Sequence, residues 1–317
     1  MTGPDLNSES DVEGGAEPIS SNRTVIFVLI FGQLAVGSAA IMAKYGLQSG
    51  VSALGLSAWR LTRASAILLT FTAISSRQSL APRVSFSTKF WLVVAGVFLG
   101  LHFYTWFESL NYISVARSTL LVSTAPIWTG MYAVLIQLSR LGIPFWIGIT
   151  GSMVGMFLLT HVAEISRFPR DPMVGDCLAL VGAIAIAAYL IVVEKVGIAI
   201  KTNYIVVWTY SSAALFLMAL NIMFSHTGTL LPGSRQAWLS VIGLALLPQL
   251  VGHTTLNWCL RHLGSATVAA SSLLEPVFAA ILAFAFFGER LTGVQILGGI
   301  ILLIGISVSL RGRERET

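Results

Sequence analysis

The sequence predicts an all-α integral membrane protein of ten transmembrane helices, arranged as two inverted five-helix repeats. Three observations lead there. Of 317 residues, 55% are hydrophobic and only 10% charged, against roughly 25% charged in a soluble domain. The apolar residues come in long runs, each of a length suited to crossing a bilayer. The second half of the chain also repeats the first at a constant offset.

The composition sets the solvent. With a mean hydropathy of +0.81, too few charges remain to coat a globule of this size, so the apolar side chains must face lipid. A spanning helix takes about 20 mostly apolar residues. Backbone N–H and C=O groups in lipid must be satisfied internally, which leaves helices or a closed barrel. Barrel strands would run about 10 residues with alternating polarity. The runs here are longer and do not alternate. They lie near 24–44, 53–75, 89–111, 115–137, 143–162, 174–194, 203–225, 237–259, 266–287 and 293–310.

Between them the chain divides into four parts. Residues 1–23 form an acidic, Gly- and Ser-rich tail without the apolar core of a signal peptide, and are expected to be disordered. Residues 24–162 make the first repeat and 174–310 the second, with Glu164, Arg167, Arg170 and Asp171 in the loop between them. Residues 311–317 are a basic C-terminal tail. Lys and Arg gather at the ends of the runs. Arg23, Arg77, Arg83, Lys89, Arg140, Lys195, Lys201, Arg261, Arg311, Arg313 and Arg315 fall on one side, and Lys44, Arg117, Arg167, Arg170, Arg235 and Arg290 on the other. The excess marks the cytoplasmic face, predicting a multi-pass protein of the inner (plasma) membrane with both termini cytoplasmic. The same scatter of basic residues gives no nucleic-acid surface. Cys177 and Cys259 sit inside apolar runs and read as packed residues, not a disulfide. No metal spacing is present and no cofactor is expected.

The repeat is gapless over its second part. Shifting the chain by 150 residues lays Ala116 on Ala266, Pro126 on Pro276, Ala133 on Ala283, Arg140-Leu141 on Arg290-Leu291, Gly148 on Gly298 and Gly155 on Gly305. Each repeat holds an odd number of crossings, so the second copy enters the membrane upside down. Inverted repeats build many secondary transporters, with the site near the midplane between the halves.

One segment carries a family resemblance. The ninth run reads Ala-Thr-Val-Ala-Ala-Ser-Ser-Leu-Leu-Glu275-Pro276, then ends in Gly288-Glu289-Arg290-Leu291-Thr292 before a Gly-rich tenth run. This resembles the signature of EamA-type transporters of the drug/metabolite transporter superfamily. Gly32 and Lys44, Ser57-Ala58-Trp59-Arg60 with Ala64, and Gly175 through Tyr189 fit the same pattern. The first half departs from it at Ser139, where the family often has Glu, and Arg63 is an additional intramembrane charge. The resemblance implies ten helices, two repeats, and export or exchange of a small metabolite, and leaves its identity open.

Intramembrane ionisable residues are functional candidates because a charge at the bilayer centre costs a few kcal/mol. Glu275 lies nine residues into its run, about 14 Å at 1.5 Å per residue, near the middle of a core about 30 Å thick. Arg63, Gln33 and Pro126 come out at a similar level. Glu275 is expected to bind a substrate amine or a coupling proton, or to pair with Arg63. Arg63 is expected to grip a substrate carboxylate or to make that same pair. Arg60, one turn away, reads as an outer structural or gating contact with Glu108. Pro126 and Pro276 read as symmetry-related kinks about which the halves rock. His102, Trp106 and Ser109 share one helix face, and His253, Asn257 and Arg261 another, at i, i+4 spacing. Such polar stripes must face protein or a water-filled cavity, where either His can relay a proton or simply pack. Gly96/Gly100 and Gly151/Gly155 read as GxxxG packing pairs, and such faces permit a homodimer.

The first reading is therefore a secondary transporter that works by alternating access on a small polar or amphipathic solute, amino-acid-like or otherwise, and is not an enzyme. No Walker A, H-E-x-x-H or G-x-S-x-G motif appears. Two other classes stay open: an intramembrane enzyme using His102, Glu108 or His253, and a non-transporting receptor or assembly subunit.

Overall fold

The structure, a computed structural model, describes residues 22–75, 84–135, 141–160, 171–197, 200–224, 231–278, 281 and 292–311. The acidic tail before Asn22, Arg77, Arg83, Ser139, Arg140, Glu164, Arg167 and Arg170 lie outside the described residues. So do Ala283, the Gly288–Leu291 part of the motif that includes Glu289 and Arg290, and the tail after Arg311.

The described residues form helices and no β-strand. In chain order they are α1 (Asn22–Gly37), α2 (Ala39–Gln48), α3 (Ala53–Ser75), α4 (Phe86–Ser109), α5 (Val115–Val122), α6 (Ala125–Leu135), α7 (Ile143–Thr160), α8 (Pro172–Gly197), α9 (Thr202–Phe224) and α10 (Arg235–Leu244). A π-helical segment, Ala245–His253, leads into α11 (Thr254–Ser271), a 3-10 turn at Ser272–Leu274, and α12 (Gly293–Arg311). Eight helical stretches are long and apolar enough to cross a membrane. One of them, Arg235–Phe278, has 44 residues, about twice what one crossing takes, and it turns at Gly264. α3 has 23 residues but is not among the eight; its two arginines, Arg60 and Arg63, dilute its hydropathy. The outward faces are apolar: Phe27 is 71% exposed, Ile74 78% and Ile143 75%. A water-soluble protein does not display such a belt.

Helix pairings follow the repeat. α1 packs on the π segment and α11, as α8 packs on α4 and α6; α3 meets α9, and α7 meets α12. The last pair shows the hand of the repeat. A Cβ on Gly148 would come within 2.5 Å of Gly305 O, and one on Gly155 within 2.6 Å of Gly298 O. As residue number rises along α7 it falls along α12, so these repeat-related helices run antiparallel, as inversion requires. Ser152 Oγ donates to Leu302 O at 3.3 Å, across a separation of 150 residues. Gly96 and Gly100 likewise admit α9, with Thr209 O and Ala213 O on the facing side. These glycine faces are therefore used within the chain. Gly151 is different: a Cβ there meets nothing within 4 Å, so the glycine that pairs with Gly155 in packing is Gly148.

Each proline stands just after a local irregularity in its helix. α5 ends at Val122, and Pro126 is the second residue of α6. Its missing N–H falls in the first turn, where no donor is needed. In the second half the turn at Ser272–Leu274 occupies the matching place, and Pro276 follows Glu275 at the start of the next helical stretch. Each half thus breaks one membrane helix at the same repeat position.

Gly264 has φ 74° and ψ 164°, a conformation open essentially only to glycine. The helix restarts at once, with Ser265 N donating to Glu194 Oε2 at 3.0 Å. Gly264→Ala is expected to cost about 1–3 kcal/mol and to lower the melting temperature of the detergent-solubilised protein. At the surface, Arg117 of α5 grips Asp176 of α8 through both carboxylate oxygens, at 2.7 and 2.5 Å. Arg117 is 53% exposed, so Arg117→Ala is expected to cost no more than about 1 kcal/mol in the same assay.

Candidate functional site

A cavity lies between the halves. Gln33 and Val36 of α1, His102 and Trp106 of α4, Tyr189 of α8, His253 and Asn257 around the start of α11, and Ser272 and Glu275 after it all line its wall. Its volume is about 620 Å³ with the open mouth included. Four lining pairs are related by the 150-residue offset: Val36 with Ile186, Trp106 with Leu256, Val122 with Ser272, and Ala125 with Glu275. The cavity therefore straddles the pseudo-two-fold axis of the repeat. The symmetry is broken where chemistry is needed, since Ala125 stands where the other half carries a carboxylate.

Glu275 sits at the helix break, and its neighbour is Gln33, fully buried on α1. The Gln33 amide lies 2.6 Å from Ser271 Oγ. Turned so that its oxygen accepts there and from Ser272 N (3.2 Å), its nitrogen donates to Glu275 Oε1 at 3.3 Å. This orientation satisfies both ends of the amide and aims a donor at the carboxylate. α1 can come this close because Gly37 presents no side chain: a Cβ there would stand 3.3 Å from Glu275 O.

A second polar group lies on the facing helices. Tyr189 donates its hydroxyl to Asn257 Oδ1 at 2.7 Å, and Asn257 Nδ2 donates to His253 O at 2.8 Å. The Nδ1 of His102 meets Gly182 O at 2.9 Å, as donor. Its ring stacks on Trp106 with centroids 5.6 Å apart. Two nitrogens on the lining side chains, Trp106 Nε1 and His253 Nε2, are buried without a hydrogen-bond partner among the described residues. A bound polar solute can supply one.

Such a fold has known counterparts. The family model described as the EamA-like transporter family matches residues 23–161 and again 173–311. The chain belongs to the EamA-like transporter family. Its relatives include the threonine/homoserine exporter RhtA of Salmonella typhimurium, 27% identical over 276 residues that cover 86% of each chain. Another is a probable terminal-alkyne amino-acid exporter of Streptantibioticus cattleyicolor, 24% identical over 65% of this chain and 68% of that one. A solved crystal structure superposes with a TM-score of 0.74 at 17% identity, covering 94% of this chain and all of that one. It supports the fold alone.

Within this EamA-like transporter, Gln33, His102, Trp106, His253, Asn257 and Glu275 share one cavity. Helix spacing put each pair of candidates on a common face, and the repeat put those faces between the halves. The two arginines differ from expectation. Arg63 is exposed on α3 and lies over Trp59 and Trp238, 5.2 and 4.8 Å from their ring centroids. It is not in the cavity and does not pair with Glu275. Depth along a helix fixes the level of a residue but not its direction. Arg60 does not pair with Glu108: none of its guanidinium nitrogens has a hydrogen-bond partner among the described residues. Glu108 instead accepts from Asn111 Nδ2 at 3.2 Å. Arg60 is fully buried, not peripheral. Sequence reasoning missed Tyr189 and Ser272 as cavity residues. Their roles depend on partners from other helices, although Ser272 is legible as the residue three before Glu275.

Proposed function

We propose that this protein is a secondary transporter that exports or exchanges a small amino-acid-like solute by alternating access. The cavity on the axis of two inverted repeats carries this reading, because rocking one half against the other opens such a site first to one face and then to the other. Glu275 takes the solute's amine or the coupling proton, and Gln33 orients the carboxylate. Trp106 gives an apolar wall, His102 and His253 offer ring nitrogens, and Asn257 is held by Tyr189. The breaks at Pro126 and Pro276 are the hinges. The relatives named as exporters of amino acids support this solute class. The same reading counts α3 and both parts of Arg235–Phe278 as crossings, ten in all, and places both termini in the cytoplasm of a plasma-membrane protein.

The test is efflux from proteoliposomes loaded with radiolabelled L-threonine or L-homoserine, with other amino acids as competitors. Saturable efflux that amino acids inhibit at lower concentrations than amines or carboxylates alone is the expected result. Efflux no faster than from empty-membrane controls across the amino-acid panel would reject this solute class. Asn257→Ala is expected to lower the affinity for the solute by about fivefold to tenfold, the loss of one hydrogen bond at about 1–1.5 kcal/mol.

A further inference from the structure

We infer that Arg60 is a second, gated element of the transport site, one that binds the carboxylate of the solute once the ring of Phe103 moves aside; this rests on reading the cavity as the solute site. Arg60 is 0% exposed, and its Nε, Nη1 and Nη2 are all without hydrogen-bond partners among the described residues. A guanidinium presents five donors in a flat fork shaped for a carboxylate. Here it lies on an aromatic face instead, 3.8 Å from the centroid of Phe103 and 5.7 Å from that of Phe107. Cation–π contact offsets only part of the solvation that the charge loses in leaving water.

The π-helical segment that packs on α3 holds more unpartnered polar atoms. Gln249, fully buried, has neither side-chain atom partnered among the described residues, and His253 Nε2 is also unpartnered. Both belong to the π-helical segment Ala245–His253, a form often found at functional sites. Tyr210 ties this segment to α9, with its hydroxyl 3.4 Å from Gln249 O and 3.3 Å from Thr254 Oγ1.

One ring separates this group from the cavity. Phe103 touches Arg60 on one side, and on the other it meets His102 and His253 with centroids 4.9 and 5.1 Å apart. Both histidines line the cavity. On α4, consecutive residues, about 100° apart around the axis, thus face different neighbours: His102 and Trp106 the cavity, Phe103 and Phe107 Arg60. A rotation at Phe103 joins the two spaces. A solute with amine and carboxylate then finds Glu275 in the cavity wall and Arg60 behind the ring.

Phenylglyoxal, which modifies free guanidinium groups, tests this on the wild-type protein in proteoliposomes, with modification at Arg60 read by peptide mass spectrometry. Expected are slow labelling of Arg60, faster labelling in Phe103→Ala, and protection of both by acetate and by L-threonine. L-threonine amide, which keeps the amine and lacks the carboxylate, is expected not to protect. With a carboxylate present at ten times its Kd, labelling is expected to fall about tenfold by mass action. If Arg60 is never labelled in the wild type, or is labelled with no protection by either carboxylate, the inference is overturned. Protection by chloride as strong as by acetate, with none by L-threonine, would also overturn it, since the site would then be a halide site. Failure of the cavity reading looks different. Transport would survive Glu275→Gln unchanged while the labelling and protection of Arg60 persisted.

Discussion

Glu275→Gln is expected to reduce solute efflux by about tenfold to a hundredfold, the loss of one charge-assisted hydrogen bond of about 1.5–3 kcal/mol, with little change in the amount of folded protein. Glutamine keeps the volume and the hydrogen bonding of the carboxyl group but not its charge. Among the described residues Glu275 is the only carboxylate that lines the cavity, and the repeat-related position holds Ala125. Gln33 already donates toward the Glu275 side chain, and a glutamine there can still accept from it. Folding should therefore be preserved while recognition of a cationic group is lost. Glu275→Asp keeps the charge one methylene further back and is expected to give an intermediate rate. Efflux from proteoliposomes separates these outcomes, and an unchanged rate in Glu275→Gln is the result that removes Glu275 from the site.

Gly155→Ala is expected to destabilise the protein by about 1–3 kcal/mol, the range of an over-packed contact, and Gly298→Ala by a similar amount. The atoms that the new methyl group meets are backbone. For Gly155 they are Gly298 O at 2.6 Å and Leu302 Cα at 2.8 Å; for Gly298 they are Gly155 O at 2.7 Å and Leu158 C at 2.8 Å. No rotamer change can relieve such a contact, so α7 and α12 must separate. Gly151→Ala has the opposite sign. Nothing lies within 4 Å of the added Cβ, and alanine is favoured over glycine in a helix by about 1 kcal/mol. Thermal unfolding in detergent should rank the proteins Gly151→Ala, wild type, Gly155→Ala from most to least stable. If Gly151→Ala were the most damaged of the three, the α7–α12 contact would be wrong.

Much of the fold was legible in the sequence because lipid restricts the alternatives. Run length and composition gave the helices, and the register of Pro126 with Pro276 and of Gly148 with Gly298 gave the repeat. The cavity set was legible for a related reason: Gln33, His102, Asn257 and Glu275 have no stable place on a lipid-facing surface, so they turn inward. Where this logic stopped was direction around an axis. Arg60 and Arg63 are three residues apart on α3, yet one is buried under Phe103 and the other lies on the indoles of Trp59 and Trp238. These contacts, an aromatic ring over each guanidinium, are ones that no periodicity reveals. The π-helical segment was also hidden. Pro248 lies inside it, and a proline in an apolar run reads equally well as a kink. Gly151 misled because a GxxxG spacing suits a close contact without stating which face of the helix makes it.

Access to the cavity from both sides of the membrane is the central claim, and it can be measured directly. Ser123, 3% exposed, lines the cavity beside the break before Pro126. Ser123→Cys, placed in a background with Cys177 and Cys259 replaced by Ser and Ala, carries one thiol. A small membrane-impermeant thiol reagent is then added to right-side-out vesicles and, separately, to inside-out vesicles. Alternating access predicts labelling from both orientations, and in each case slower labelling when a saturating solute is present. Labelling from one side only, under every solute condition, would contradict a transport cycle through this cavity and leave it a pocket open to a single face.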